Sequence, residues 1–111
     1  MTSSDLVTVT TTIDDEDKAA ALARSAVEAR LAACAQVGGP VTSVYWWEDA
    51  IEEATEYTVT FKTTGALADV LVAHVSDEHA YDIPEIIVTP VSGGNAAYLT
   101  WVGQETTTPP V

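Results

Sequence analysis

The run from Ser43 to Thr64, SVYWWEDAIEEATEYTVTFKTT, constrains this chain more than any other. Two stretches rich in aromatic and β-branched residues flank a short polar break at Glu48-Asp49-Ala50, the pattern of a long β-hairpin. In the second stretch Tyr57, Val59 and Phe61 share one face, and Glu56, Thr58, Thr60 and Lys62 share the other. That spacing predicts a sheet with one covered and one wetter face. The first stretch, Val44-Tyr45-Trp46-Trp47, is apolar on both faces and asks for cover on both. The second strand spans Ile51 to Thr63, roughly 43 Å at ~3.3 Å per residue. A compact chain of this size has a radius of gyration near ~13 Å. A flat ribbon of that length projects beyond its own domain, and exposed strand edges invite pairing with another chain. The hairpin is therefore expected to be the oligomerisation element. The competing arrangement is a bent hairpin folded over its own core.

At 111 residues, 47% of them hydrophobic, the chain fits one domain with a real core rather than a disordered segment. It holds no apolar run of ~20 residues, so no membrane-spanning helix is expected. It lacks a basic N-terminal stretch leading into an apolar run, so no signal peptide is expected either. A single cysteine, Cys34, excludes an intramolecular disulfide framework and fits a reducing cytoplasm. Seventeen acidic residues against four basic ones give a net charge of −13. Lys18, Arg24, Arg30 and Lys62 are too few to track a phosphate backbone, which argues against nucleic acid as a partner. An acidic surface either gathers divalent cations or keeps the chain soluble in a salty or acid-biased setting.

Residues 1–5 read as a disordered start. Leu6 to Ile13 is β-branched and reads as a central strand, and Asp14-Asp15-Glu16-Asp17 then offers carboxylates to a helix N-terminus. The helix is expected to run from Lys18 to Ala33, with Ala19, Ala23, Val27 and Leu31 as its apolar stripe, widened by Leu22, Ala26 and Ala33. Cys34 to Val37 opens a strand that Gly38-Gly39-Pro40 bends or bulges. After the hairpin comes a second helix, roughly Ala66 to Glu78, with Leu67, Val70, Leu71 and Val75 on one face. The connector 79–84 follows, then a strand from Glu85 to Val91 and a terminal helix from Ala96 to Val102. Residues 104–111 are Thr/Pro-rich and read as a disordered tail. The order β-α-β-β-α-β is the split βαβ, or ferredoxin-like, arrangement, with an antiparallel sheet carrying two helices on one face. Its other face would be bare in a single copy.

Five segments, Ala29-Arg30-Leu31-Ala32-Ala33-Cys34, Ser43-Val44-Tyr45-Trp46-Trp47-Glu48, Lys62-Thr63-Thr64, Tyr81-Asp82-Ile83-Pro84-Glu85-Ile86 and Tyr98-Leu99-Thr100-Trp101, resemble in order the signature segments of the CutA family of divalent-cation tolerance proteins. The resemblance covers about residues 6–103. It implies a ferredoxin-like protomer in a homotrimer similar in shape to the PII signalling proteins. Each hairpin would reach a neighbour, and Tyr45, Trp46, Trp47 and Trp101 would lie in the interface. It also implies tolerance of copper and other divalent metals, and no defined enzymatic activity. Two positions depart from the family pattern. Ala80 stands where a proline is usual, and Asp49 where the hairpin tip usually holds glycine, a place that Asp tolerates.

The residues offer metal chemistry only sparsely. Cys34 is a soft ligand suited to Cu(I) or simply a small buried residue at a helix–strand junction. His79 and Glu85 either serve a copper or other divalent ion, or belong to a loop ordered by Tyr81 and Glu85 in which His79 is solvated. Tyr81, Pro84 and Lys62 are candidates for a small-molecule loop between subunits. His74 reads as a surface or boundary residue. The acidic tip, Glu48, Asp49, Glu52, Glu53 and Glu56, reads as a solvated edge. No catalytic motif is present. The alternative function is a PII-like regulatory or adaptor trimer that holds a small metabolite or a protein partner between subunits.

Overall fold

The structure, a computed structural model, describes residues 5–108. The start expected to be frayed, residues 1–4, and the tail end, residues 109–111, lie outside the described residues. Strand β1 (Leu6–Ile13) leads through helix α1 (Glu16–Glu28) to the hairpin strands β2 (Cys34–Trp47) and β3 (Ala50–Thr64). A 3₁₀ turn (Gly65–Leu67) opens helix α2 (Ala68–Glu78), and strand β4 (Ile86–Pro90) and helix α3 (Ala96–Gln104) follow. The four strands lie in the order β2-β3-β1-β4, all antiparallel. This is the ferredoxin-like sheet expected from the element order.

Alternation along the strands sorts the two faces. Val9 and Ile13 of β1 and Val59 and Phe61 of β3 pack with Ala19, Leu22 and Ala26 of α1 and with Leu71 and Val75 of α2. Alanine dominates the α1 side, so the helix lies close on the sheet. The opposite face carries the cross-strand pairs Thr10–Thr60 and Thr12–Thr58, contacts worth roughly 0.2–1 kcal/mol each. Helix α3 covers only one end of that face, through Leu6, Leu99 and Val102. Among the described residues, no helix lies over the rest.

Helix α1 stops five residues earlier than its alanine-rich pattern suggests. Asp15 caps its start, its carboxylate accepting from the Asp17 N–H. At the other end Arg30 takes a left-handed φ of 63°. The Leu31 N–H reaches the Ala26 carbonyl at 3.1 Å and the Arg30 N–H reaches Val27 at 3.0 Å. Those bonds make a Schellman end without glycine, and they free Leu31 and Ala32 to enter the core from a loop. The segment after α3, placed in a disordered tail by its composition, makes defined contacts. Arg30 pairs with Glu105 at 2.7 Å, and the Thr107 N–H donates to the Arg30 carbonyl at 2.9 Å. Val70 and Val27 turn outward, unlike the other members of their stripes.

The hairpin closes through a two-residue turn in which Glu48 (φ 48°) and Asp49 (φ 65°) are both left-handed, the geometry that matches strand twist. Between Gly38 and Val41 the register shifts by one residue, the bulge expected at Gly38-Gly39-Pro40. The Gly39-Pro40 peptide is cis. Past the bulge Tyr45 pairs with Glu52 and Trp47 with Ala50, which puts them on the side of the helix-free face. Trp46 and Ile51 oppose each other on the other side. Among the described residues, no helix lies over either side of this two-stranded arm. Trp46 is 72% exposed, Ile51 62% and Val44 60%. The arm stretches the molecule to 45 × 30 × 23 Å.

Candidate functional site

At the root of the arm the loop after α2 turns back over the helix-free face. Together they enclose a cleft of about 680 Å³, walled by Tyr45 and Trp47 from β2 and by Tyr81, Asp82 and Glu85 from the loop. Thr12, Asp14 and Glu56 form its floor.

The loop is held by hydrogen bonds that begin at His79, the residue capping the end of α2. Its Nε2 lies 2.8 Å from the Thr12 carbonyl, and its Nδ1 accepts from the Tyr81 N–H at 3.0 Å. A carbonyl can only accept, so Nε2 carries the proton and the neutral ring satisfies both partners. His79 is therefore buried rather than solvated, and the Tyr81 ring lies against it with centroids 4.7 Å apart. The Tyr81 hydroxyl donates to the Glu56 carboxylate at 2.8 Å. Burial, then the Glu56 carboxylate that accepts its proton, push the Tyr81 phenol above its ordinary value. Glu56 is 7% exposed, in contrast to the solvated edge expected for it. Glu85 ties the loop to the sheet by its backbone, its carbonyl accepting from Thr11 Oγ1 at 2.7 Å. Its side chain remains exposed, and Pro84 is half-buried beside it.

Cys34 lies elsewhere. It is half-buried opposite Lys62, which pairs with Thr8, whereas His79 binds at Thr12. Four residues along β1 correspond to roughly 13 Å. Cys34 and His79 are not brought together, and among the described residues no three His, Cys, Asp or Glu side chains converge as a metal centre. Cys34 instead meets Tyr98 of α3; burial, then the neighbouring sulfur, raise the Tyr98 phenol above its usual value. Lys62 hydrogen-bonds Gln36 across the hairpin. Trp101 stacks obliquely on Tyr98 at 5.5 Å, away from the arm's Tyr45, Trp46 and Trp47. Glu56, Asp14 and Asp82 escaped sequence reasoning as cleft residues. Alternation places Glu56 correctly on the helix-free face, but no local pattern tells that a loop 25 residues on returns to bury it.

On the outer helical layer, His74 of α2 is a boundary residue, as expected. Its Nε2 lies 2.8 Å from Ser25 Oγ of α1 and 3.3 Å from Glu78 Oε2. Among the described residues, no helix is long and apolar enough to cross a membrane.

With this fold and cleft in hand, relatives are informative. The chain is 39% identical over 98 residues to the divalent-cation tolerance protein CutA of Pectobacterium atrosepticum, covering 88% of this chain and 89% of that one. It is 37% identical over 100 residues to the chloroplastic protein CutA 1 of Oryza sativa, covering 90% of this chain. The chain spans only 56%, 55% and 54% of the length of the rice, Arabidopsis thaliana and mouse relatives. Among solved structures, CutA from Xylella fastidiosa superposes with a TM-score of 0.91 at 32% identity, over 94% of this chain and 100% of that one. CutA1 from Thermus thermophilus superposes at 0.89 and 34%, over 92% and 99%. The profile of the family described as CutA1 divalent ion tolerance protein matches residues 7–105, and the chain belongs to that family.

Proposed function

We propose that this chain works as a cytoplasmic homotrimer in divalent-cation tolerance, and that copper or another divalent metal is its ligand. The observation that carries the trimer is the arm. A two-stranded ribbon is marginal alone in water, yet this one exposes Trp46, Ile51 and Val44 on one side and Tyr45 and Trp47 on the other. A neighbouring copy that accepted the arm would cover both sides and the threonine face as well. In such an assembly the acidic residues of the cleft, Asp14, Asp82 and Glu85, face a subunit junction. There a second chain can complete a ligand set that one chain lacks. Native mass spectrometry of the purified protein, untreated and after addition of Cu(II) or Zn(II), tests both parts. Three subunits with retained metal is the expected result. A single well-folded subunit at micromolar concentration refutes the assembly, and no metal retained above an equally acidic control protein refutes the cation reading.

A second reading rests on the lining of the cleft. Its volume falls in the range of small-molecule sites, and Tyr45, Trp47 and Tyr81 offer stacking surfaces beside carboxylates. In this reading the trimer is a PII-like regulatory or adaptor module that holds a metabolite or a protein partner. A thermal-shift screen of metabolites discriminates the two, since a bound ligand raises apparent stability.

A further inference from the structure

Four carboxylates line the cleft at the arm's root, and among the described residues no basic side chain answers them. Glu56 and Asp14 stand on its floor, Asp82 and Glu85 on the loop that walls it. The chain's cations are engaged elsewhere: Arg24 with Glu28, Arg30 with Glu105 and Lys62 with Gln36. Lys18 lines a separate depression that shares Asp14, and it forms no ion pair among the described residues. Glu56 is the buried member of the four. Its Oε2 accepts from Tyr81, and its Oε1 accepts no hydrogen bond among the described residues. No fully enclosed side-chain oxygen among them lacks a partner, so Oε1 is open to the cleft that Glu56 lines. A carboxylate oxygen so placed asks for a donor.

The charge is drawn out rather than gathered. Among the described residues, no three acidic side chains converge on a point that one metal ion could occupy. Tyr45 pairs with Glu52, four residues from Glu56 toward the tip of the arm, which is roughly 13 Å along the strand. Trp47 lies further out, opposite Ala50. Tyr45 and Trp47 are 43% and 49% exposed. The cleft therefore runs outward from a buried carboxylate along an aromatic wall, with Ile83 on the loop side.

We infer, on the reading that this cleft holds a small molecule, that its ligand is a linear aliphatic polyamine. A terminal ammonium gives Oε1 of Glu56 the N–H donor it lacks, in a charge-assisted bond. The methylenes lie on Tyr45 and Trp47, whose ring faces attract a second ammonium. Asp14, Asp82 and Glu85 balance the remaining charge. An anionic metabolite meets the same carboxylates with no cation to receive it, so the lining selects against it. A compact ion cannot reach three of these carboxylates within one chain, whereas spaced ammonium groups can.

Isothermal titration of the full chain with spermidine measures the affinity. It is run at ~0.15 M salt, where exposed charges more than ~8 Å apart are screened. Two-dimensional ¹H–¹⁵N NMR of the same mixture locates the ligand. Saturable binding that shifts the Trp47 indole and the Tyr81 and Asp82 amide signals is expected, and none with 1,8-octanediol, an uncharged chain. Glu56→Gln, whose amide oxygen still accepts from Tyr81, is expected to weaken binding about tenfold. Asp82→Asn, on the exposed loop, is expected to weaken it about threefold, and it tests the site even where Glu56→Gln unfolds the chain. Asp77→Asn, the same loss of charge on α2, is expected to leave the affinity unchanged. Equal losses in all three variants would mean diffuse attraction to the net charge and overturn the site. A response to octanediol as large as that to spermidine overturns the role of the ammonium groups. If spermidine fails while a neutral or anionic metabolite from the thermal-shift screen shifts the same signals, the polyamine is overturned and the small-molecule reading stands. If nothing shifts them, both fall.

Discussion

Tyr81→Phe isolates the bond that holds the loop over the arm's root. Phenylalanine keeps the ring against His79 and removes only the hydroxyl that donates to Glu56 at 2.8 Å. Glu56 is 7% exposed, so its carboxylate loses a donor where water has little access. A hydrogen bond to a charged group is worth about 1.5–3 kcal/mol, and about 2 kcal/mol is expected here. With a urea slope of about 1.5 kcal/mol/M, the unfolding midpoint falls by about 1.3 M. Protein concentration must be held fixed, because association shifts apparent stability. The same variant alters the alkaline limb. The folded-state phenol of Tyr81 lies above its ordinary value, through burial and then Glu56. The folded chain therefore keeps a proton that the unfolded chain gives up near pH 10. Its contribution is fully present below about pH 10 and is lost as pH climbs from there toward the raised folded value. Tyr81→Phe should flatten that decline. A midpoint within about 0.2 M of wild type, together with an unchanged alkaline slope, would refute the assignment of the Tyr81–Glu56 hydrogen bond as the tie that holds the loop.

Three further outcomes follow from the backbone and the charge. Replacing Glu48-Asp49 by Asn-Gly puts at these two left-handed positions the residues that adopt that conformation most readily, and should stabilise the chain by about 1 kcal/mol in chemical denaturation; no gain would mean that the turn is not strained. Gly39→Ala should cost about 2 kcal/mol, because Gly39 has a φ of 117° and an added Cβ would lie 3.1 Å from the Glu56 carbonyl; a neutral result would deny the tight approach at the bulge. Raising salt from ~0.1 to ~1 M shortens the screening length from ~10 to ~3 Å. The melting temperature of a chain with net charge −13 should rise as self-repulsion fades, and a flat response would show that the acidic surface stores little strain.

Periodicity revealed the elements whose contacts are local or repeat regularly. Tyr57, Val59 and Phe61 alternate, and Ala19, Leu22 and Ala26 recur at helical spacing, so the sheet and its covered face could be read directly. The end of α1 could not, because no glycine or proline marks it. Arg30 pays for a left-handed conformation that Leu31 then repays by entering the core. The burial of His79 and Glu56 was hidden for a different reason: both depend on one loop crossing a face whose own pattern is polar. Ser25 and His74 meet across 49 positions of sequence, a pairing set by helix packing rather than by any motif. The cysteine was visible, but its companion Tyr98 belongs to the last helix, which reaches that end of the sheet only in three dimensions.

The shift between Gly38 and Val41 acts as a change of phase in the strand. Downstream of it, odd-numbered residues of β2 occupy the side that even-numbered residues hold upstream. Removing one residue there, for instance Pro40, would restore the upstream parity throughout the arm. Trp46 and Val44 would swing toward the cleft, while Tyr45 and Trp47 would leave it. A single codon at this place therefore exchanges the two chemical surfaces of the ribbon without touching the body of the domain, so length is guarded here more strictly than composition.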